Sequence, residues 1–282
     1  MNGFINLFKP QGMSSAYAVG MVKKKFNMPC GHMGTLDPLA EGVLPIAVGQ
    51  ATRLFQYTLE KEKVYIAEFT FGLTTDTLDR AGEVISTCEK VPTKSEIEKV
   101  LQEFVGEIDQ VPPKYSAKNI DGKRGYQLAR KGVEFALPPK KVVIKEFLLI
   151  EKTSENSYTF KIECEGGTYI RSLARDLGLR LGSLAYMSKL TRQKSGIFCA
   201  ENSVGFDELK QSENPQKYLV QSDSVISYPK LKLSKAQAQK ILDGVFEDIG
   251  VESGIYRVYC EYAFWGVGVA ENGVLRIKSY VR

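Results

Sequence analysis

Residues 31 to 45 read Gly31-His32-Met33-Gly34-Thr35-Leu36-Asp37-Pro38-Leu39-Ala40-Glu41-Gly42-Val43-Leu44-Pro45. The glycines and prolines in this stretch specify an unusual backbone path. Asp37 precedes Pro38, which biases the aspartate away from helical geometry and towards an extended conformation. Its carboxylate is therefore held on a stiff loop, as a preorganised nucleophile requires. An Asx turn or a helix cap is the alternative role for Asp37, and the residues alone favour it.

Local patterns around this stretch predict the secondary structure. Residues 31–49 are predicted to form a structured loop that leads into a short helix, because glycine and proline punctuate them. Val64–Phe71 alternates in hydrophobicity and predicts a strand, with Tyr65 on its apolar face. Further predictions are a helix capped by Ser14 or Ser15 with Val19, Val22 and Phe26 on one side, a helix with a capping box of Thr93 and Glu96, strands over 142–150 and 158–164, and a helix over 172–181.

The pattern changes near residue 225. Residues 207–229 are more polar and irregular than the sequence before them. A short helix over 234–242 and three strand-like runs follow, and Asn272-Gly273 is a strong signal for a two-residue hairpin. We therefore predict an α+β domain over residues 1–224 and a small, mostly β module over residues 225–282.

Composition limits the kind of protein this is. The chain has 282 residues, of which 43% are hydrophobic and 25% charged, as is typical of a globular protein. The N terminus lacks the pattern of a signal peptide, and no apolar run approaches the length of a membrane span. We therefore expect a cytoplasmic protein with no membrane partner.

Few side chains are available to bind a transition metal. The one histidine is His32, and the five cysteines are scattered without a C-x-x-C spacing. This usage does not favour a disulfide framework or a zinc ribbon. We therefore expect no metal site and a catalysis, if any, that runs on side chains alone.

The positive charge is concentrated in two segments. The net charge is +5. Residues 114–146 contain nine Lys or Arg and three Asp or Glu, and residues 171–194 contain six basic residues and one acid. Such segments attract polyanions such as nucleic acids, although two solvated faces would give the same counts.

Five blocks in this order resemble the bacterial tRNA pseudouridine-55 synthases of the TruB type. They are Lys9-Pro10-Gln11-Gly12-Met13-Ser14-Ser15, residues 31–45, Lys63-Val64-Tyr65, Gln110–Ala117 followed by Gly122–Tyr126, and Gly167-Thr168-Tyr169-Ile170-Arg171-Ser172-Leu173. The resemblance implies a pseudouridine synthase fold with a central mixed, mainly antiparallel sheet flanked by helices. One departure lies at Asn119, where such proteins often carry a lysine, here preceded by Lys118.

The resemblance also implies an activity. The enzyme would convert uridine 55 in the T-loop of tRNA to pseudouridine by flipping the base, without metal or cofactor. Two alternatives stay open: a non-catalytic tRNA-binding or tRNA-folding protein on the same scaffold, and a guide-RNA-dependent relative in a ribonucleoprotein. Relatives of the second kind tend to carry longer basic tails.

The resemblance assigns three catalytic residues. Asp37 would be the essential carboxylate, and Arg171 would pair with it and keep it ionised. Tyr65 would stack on the target base. Without the resemblance, Tyr65 could equally be a core tyrosine on an alternating strand, and Arg171 a surface arginine at a helix start.

Other residues are implied in binding RNA. His32 would insert where the flipped nucleotide leaves, and Leu190 would line the uracil pocket; from sequence alone both would be assigned to the core. Lys9 would support the loop. The remaining residues implied in RNA contact are Tyr115, Lys123, Arg124, Tyr126 and Arg192, together with Lys9. The insertion at about 114–146 would close over the T-loop, and the C-terminal module, which resembles a PUA domain, would contact the acceptor stem. We expect a monomer.

Overall fold

The computed structural model describes residues 2–58, 62–116, 119–120, 123–124, 135, 137–245 and 248–281. Its chain folds into two compact units. The first unit consists of Met1–Asp37, Val43–Lys61 and Gly196–Arg282. The second consists of Pro38–Gly42 and Glu62–Ser195.

The described residues form helices and strands in the following order. Before residue 105 these are β1 (Gly3–Lys9), α1 (Ser15–Phe26), β2 (Cys30–His32), β3 (Glu41–Val48), a 3-10 helix (Gly49–Tyr57), β4 (Lys63–Phe71), β5 (Leu73–Thr75), β6 (Val84–Thr87), α2 (Lys94–Leu101) and a 3-10 helix (Gln102–Phe104). Up to residue 195 they are β7 (Gly106–Gln110), β8 (Asn119–Ile120), β9 (Lys123–Arg124), β10 (Lys140–Lys152), β11 (Ser157–Cys164), α3 (Ile170–Arg180) and β12 (Ala185–Ser195). The rest are β13 (Phe198–Cys199), a 3-10 helix (Ala200–Asn202), β14 (Val204–Gly205), α4 (Phe206–Gln211), a 3-10 helix (Pro215–Tyr218), β15 (Leu219–Gln221), β16 (Lys230–Leu233), α5 (Lys235–Leu242), β17 (Asp248–Val251), β18 (Gly254–Cys260), β19 (Ala263–Glu271) and β20 (Gly273–Tyr280).

The second unit is built on antiparallel strands in the order β12-β4-β11-β10-β7. The strand predicted from alternation is β4, and Tyr65, Ala67, Phe69 and Phe71 are all buried. Phe69 packs against Phe160 with the ring centroids 4.9 Å apart. Helix α2 packs on β10, and α3 packs on β12 and β4. The three predicted strands of this unit, which are β4, β10 and β11, and both predicted helices are confirmed.

The capping box at the start of α2 is confirmed in detail. Thr93 Oγ1 accepts a hydrogen bond from the Glu96 backbone, and the Glu96 carboxylate accepts from the Thr93 backbone N–H at 2.8 Å. Because two N–H groups at the helix start gain partners, such a box stabilises a helix end. Helix α3 begins at Ile170, two residues before the predicted start at Ser172, and Arg171 therefore lies in its first turn.

In the first unit, β1 has β3 as a neighbour, pairs in parallel with β14 and pairs antiparallel to β15. Helix α1 is capped by Ser14 as predicted, since the Ser14 hydroxyl accepts from the Tyr17 backbone N–H at 3.1 Å. The buried face of α1 differs from the prediction. It contains Ser15, Ala18 and Val22, whereas Val19 and Phe26 are only half-buried.

The prediction of a loop over residues 31–49 is wrong in part. Strands β2 and β3 form an antiparallel hairpin that pairs Cys30 with Val48 and His32 with Ile46, and only the residues between the strands form a loop. Residues 43–48 are buried, so they form a core strand. The glycines and prolines around them led to the prediction of a loop. Pro45 has no N–H to donate, but its carbonyl accepts from the Met33 N–H at 2.9 Å.

The C-terminal residues form a five-stranded sheet in the order β16-β18-β19-β20-β17. The Asn272-Gly273 hairpin is confirmed, because both residues have positive φ (51° and 77°), as a two-residue type I′ turn requires. Part of this sheet packs in one cluster with Phe4 and Val43 through Val267 and Val281. The boundary at residue 225 stays a prediction, since contacts group this sheet with the first unit.

The mixture of helices and largely antiparallel strands confirms the predicted α+β class. Among the described residues, no helix has the length and apolar character that a membrane span needs.

Candidate active site

The loop that carries Asp37 is anchored through the residue before it. Ser15 Oγ donates to the Leu36 carbonyl at 2.8 Å and accepts from the Leu36 N–H at 2.9 Å. Ser15 and Leu36 are each only 3% exposed. Because both backbone groups of Leu36 are bound to one buried side chain, the loop cannot shift without losing buried hydrogen bonds. Asp37 itself is half-buried.

Lys9 is fully buried at the end of β1. Its ammonium donates to the Pro10 carbonyl at 2.9 Å and to the Met13 carbonyl at 2.7 Å. These contacts hold the turn that precedes α1, the helix to which Leu36 is bound. They support the predicted role of Lys9 in loop support and argue against direct RNA contact by this side chain.

His32 ends β2 and is half-buried. Its Nδ1 accepts from the Gly34 N–H at 3.4 Å. Gly34 has a φ of 137°, which a residue with a side chain rarely adopts. His32 and Gly34 therefore determine the path of the chain between β2 and Asp37. The insertion of His32 into RNA stays a prediction.

Three of the predicted site residues in the second unit share one face of its sheet. Tyr65 on β4 lies opposite Arg192 on β12, and Ala67 lies opposite Leu190. Residues opposite each other in an antiparallel pair project to the same face. Tyr65 is 6% exposed and Leu190 7% exposed. Tyr65, Leu190 and Arg192 are therefore brought together.

Arg192 is fully buried on β12, which argues against direct RNA contact by this side chain. Its backbone lies against Gly42, whose φ is 107°. A Cβ on Gly42 would overlap the Arg192 carbonyl oxygen. Only glycine fits at this position, which explains why residue 42 is a glycine.

Arg171 is held by three groups in the second unit. Its Nη1 donates to the Thr77 carbonyl at 3.0 Å and lies 3.4 Å from Asp79 Oδ2. Its Nη2 donates to the Tyr115 carbonyl at 3.0 Å. Arg171 is 7% exposed, so the alternative of a surface arginine is wrong. The guanidinium is fixed in one orientation by these partners.

Asp79 was not identified from the sequence. It is 4% exposed, and its Oδ1 accepts from Thr77 Oγ1 at 2.8 Å and from the Ala81 N–H at 2.9 Å. Leu78, the residue before it, has a φ of 60°. The signal that could have revealed it is the polar run Thr75-Asp76-Thr77-Leu78-Asp79 between two strands, which is typical of a tight turn built on carboxylates.

Gln110 is a second residue that the sequence analysis named only as part of a block. Its amide donates to the Tyr169 carbonyl at 3.1 Å and accepts from the Tyr169 N–H at 2.8 Å. Tyr169 is the N-cap of α3 and has no side-chain cap. The buried amide of Gln110 thus fixes the backbone two residues before Arg171.

Burial also changes the acidity of two groups where the start of β4 pairs with the end of β11. Burial, as the larger cause, and the charge of Arg192 together lower the pKa of Lys63 to about 8. Lys63 lies opposite Cys164 on β11, and burial raises the pKa of that thiol to about 11. Cys164 is therefore a thiol at neutral pH and not a nucleophilic thiolate.

Several of the predicted RNA contacts lie in the insertion. Tyr115 is half-buried. The backbones of Lys123 and Arg124 form β9, which pairs with Ile120 and Asn119 of β8. Lys118 and Tyr126 lie outside the described residues, as do the side chains of Lys123 and Arg124. Their contacts with RNA stay predictions.

The first unit holds Asp37, His32 and Lys9, and the second holds Tyr65, Arg171, Leu190 and Arg192. Chemically, the second unit offers a buried aromatic ring, an apolar wall and an oriented guanidinium. The first unit offers a carboxylate on an anchored loop. An aromatic ring beside an apolar wall can accommodate a planar substrate, and the guanidinium can bind an anionic partner.

Comparison with protein families gives a match that covers about half of the chain and part of the site. The model of the TruB family pseudouridylate synthase (N terminal domain) matches residues 23–170. This range contains the Asp37 loop, Tyr65 and Asp79.

Individual relatives match over nearly the full length. The chain is 38% identical to tRNA pseudouridine synthase B of Caldanaerobacter subterraneus subsp. tengcongensis, over 99% of this chain and 98% of the relative. It is also 38% identical to tRNA pseudouridine synthase B of Aquifex aeolicus, over 99% of each chain. Among solved structures, the crystal structure of a Cbf5-Nop10-Gar1 complex contains a similar chain, with a TM-score of 0.70 and 26% identity, covering 98% of this chain and 79% of that one.

Proposed function

Since the chain belongs to the TruB family of pseudouridylate synthases, we propose that it converts uridine 55 in the T-loop of tRNA to pseudouridine. The observation that carries this proposal is the full-length similarity to proteins named tRNA pseudouridine synthase B. The predicted pseudouridine synthase fold and enzyme class agree with the family. The non-catalytic alternative gains no support from these relatives.

The reaction is an isomerisation. The bond between N1 of uracil and C1′ of the ribose breaks, the base turns, and a bond forms between C5 and C1′. The proton on C5 leaves and N1 gains one, so atoms and electrons balance without an oxidant or a reductant. The protein must therefore supply a carboxylate, a partner that keeps it ionised, and a pocket that holds the detached base.

Asp37 is the catalytic carboxylate in this proposal. The buried hydrogen bonds between Ser15 and Leu36 support it, because they restrict the carboxylate to one path of the chain. Arg171 is its proposed partner. The three contacts that orient the guanidinium would leave its position unchanged while the substrate reacts, so no reorganisation is needed during the reaction.

Tyr65 and Leu190 form the proposed base pocket. Their shared face and low exposure suit stacking on a uracil with water excluded. His32, at the end of β2, would occupy the stack from which the uridine leaves. For Lys9 and Arg192 we propose structural support of this pocket and its loop, because both are fully buried.

The proposed RNA partner is the T-arm of tRNA. The basic insertion at about 114–146 would contact phosphates, which position the RNA without reading its sequence. The C-terminal module over 225–282 would contact the acceptor stem. We further propose that the protein acts as a monomer in the cytoplasm.

One experiment tests this function. An unmodified tRNA transcript is incubated with the protein, and pseudouridine is mapped by carbodiimide treatment and primer extension. A stop at position 55, absent from a transcript with cytidine at that position, is the expected result. Absence of pseudouridine in every tRNA tried contradicts the proposal.

A further inference from the structure

A cleft of about 370 Å³ opens in the first unit, and its lining includes none of the residues assigned to catalysis. Its walls include Ser222, Asp223, Tyr259, Tyr262, Phe264 and Val281. Such a volume lies at the lower end of the range for small-ligand sites. The residues that line it combine aromatic rings with a carboxylate and a hydroxyl group.

Asp223 is fixed in place by its neighbours. Its Oδ2 accepts a hydrogen bond from the Tyr259 hydroxyl at 2.6 Å, and its backbone carbonyl accepts from Arg257 Nη1 at 3.2 Å. Arg257 Nε also donates to the Tyr228 carbonyl at 2.6 Å. Burial and the hydrogen bond to Asp223 raise the pKa of Tyr259 to about 12, so its hydroxyl stays a donor. The carboxylate is therefore presented in a set orientation.

Two further features of the cleft are not explained by contacts within the part of the chain that the structure describes. Ser222 is 6% exposed, and its Oγ has no hydrogen-bond partner among the described residues. A buried hydroxyl without a partner is unfavourable. Tyr262 is 99% exposed at the turn between β18 and β19, and a large aromatic ring that packs on nothing contributes little to folding.

We propose that this cleft binds an unpaired nucleobase that carries an exocyclic amine. The base would stack on Tyr262, with the edge of Phe264 beside it, and donate its amine to the Asp223 carboxylate. This inference rests on the proposed function, because it takes the RNA substrate as the source of the base. It adds a second nucleotide-binding site to the one around Asp37.

The chemistry favours a base over a phosphate. A carboxylate repels phosphate, whereas Asp and Glu accept hydrogen bonds from the amino group of bases such as cytosine. Exposed aromatic rings are the usual platform for unpaired bases. Lys230 lies with its Nζ 5.4 Å from the centre of the Tyr259 ring, so a positive charge stands beside one wall of the cleft.

The test measures the affinity of the full-length protein for a fluorescent tRNA transcript. Tyr262→Ala is expected to weaken binding about tenfold, as for the loss of one stacked base. Tyr262→Phe is expected to restore it, because the ring is retained. Since Tyr262 is almost fully exposed, neither change disturbs the core. Tyr17→Ala, at a tyrosine that is 60% exposed and stacks on Phe206, is the control for the loss of a surface ring and should bind as the wild type does.

Asp223→Asn tests the hydrogen bond to the amine. The Tyr259 hydroxyl can still donate to the new amide oxygen, while the amide NH₂ would face the amine of the base, so affinity should fall several-fold. Unchanged affinity of Tyr262→Ala overturns the site, and unchanged affinity of Asp223→Asn alone overturns the preference for an amine. Pseudouridine formation by the wild type on the same RNA tests the proposed function separately, so the two failures are distinguishable.

Discussion

Arg171 carries its charge at a position where 7% of the residue is exposed. Removing a guanidinium from water costs several kcal/mol unless partners replace the water. Here Asp79 supplies an opposite charge and the carbonyls of Thr77 and Tyr115 accept hydrogen bonds. Asp79 is in turn bound by Thr77 and the Ala81 backbone. This chain of partners fixes a fork-shaped donor, which a lysine could not replace.

Arg171→Lys is therefore expected to reduce kcat about 100-fold, comparable to the loss of one preorganised charge-stabilising group. The affinity for tRNA should change little, because one buried residue contributes little to phosphate contacts. Single-turnover kinetics and RNA binding, measured on the same preparation, check both. Arg180→Lys is the control and should keep the wild-type kcat. Arg180 lies on the same helix, but its ion pair with Glu103 is exposed and contributes little to stability. Wild-type kinetics in Arg171→Lys would remove the proposed role.

At the scale of elements, helix α1 and the Asp37 loop act as one piece. The helix presents Ser15 on its buried face together with Ala18 and Val22. A serine in the first turn would ordinarily be assigned to the cap or the surface. Its hydroxyl instead satisfies both backbone groups of Leu36. The helix thus determines the position of Asp37, the residue that follows Leu36.

Ser15→Ala leaves the N–H and C=O of Leu36 without these partners. We expect the free energy of unfolding to fall by about 2 kcal/mol and kcat to fall about tenfold, because a small displacement of a catalytic group is costly. Urea unfolding and single-turnover assays measure the two effects. Ser14→Ala, the adjacent change, removes only the helix cap and costs about 1 kcal/mol. If both variants lose the same activity, the anchoring role of Ser15 is wrong.

Elements with a regular hydrophobic period could be predicted from the sequence. Strand β4, the capping box of α2 and the Asn272-Gly273 turn follow from local chemistry that needs no distant partner. Strand β3 could not be predicted, because Gly42 and Pro45 are residues typical of a loop. The glycine is required only because the Arg192 backbone lies close to it in the folded chain. The roles of Asp79 and Gln110 could not be predicted for a similar reason. Their partners, Arg171 and Tyr169, are far away in sequence. Burial of Lys9 and Arg192 is likewise a tertiary property.

At the scale of the whole molecule, stability depends on how buried charges respond to pH. Lys63 is the clearest case, since burial lowers its pKa to about 8. In the unfolded chain a lysine titrates near 10.4. Between these values the folded chain binds fewer protons than the unfolded chain, so Lys63 makes the free energy of unfolding rise with pH. Below about pH 8 its charge is retained at a cost to the folded state.

Lys63→Met is expected to remove this rise. Relative to the wild type, the variant should be more stable at about pH 7, and the difference should shrink by at most ~3 kcal/mol on going to about pH 10.5. Urea unfolding at both pH values measures it. Lys99→Met, at an exposed position of α2, should show no such pH-dependent difference. A constant difference between the Lys63 variant and the wild type at both pH values would contradict the assignment.

The proposed function depends most on Asp37, since Ser15 anchors its loop, Arg171 is its proposed partner and Tyr65 would hold the base on which it acts. The most direct measurement is pseudouridine formation by Asp37→Asn on a tRNA transcript that the wild type modifies, with enzyme in excess and RNA binding measured in parallel. The substitution keeps the shape of the side chain and removes its charge. We expect RNA binding to stay close to that of the wild type while no product forms. Normal turnover by Asp37→Asn would contradict this expectation.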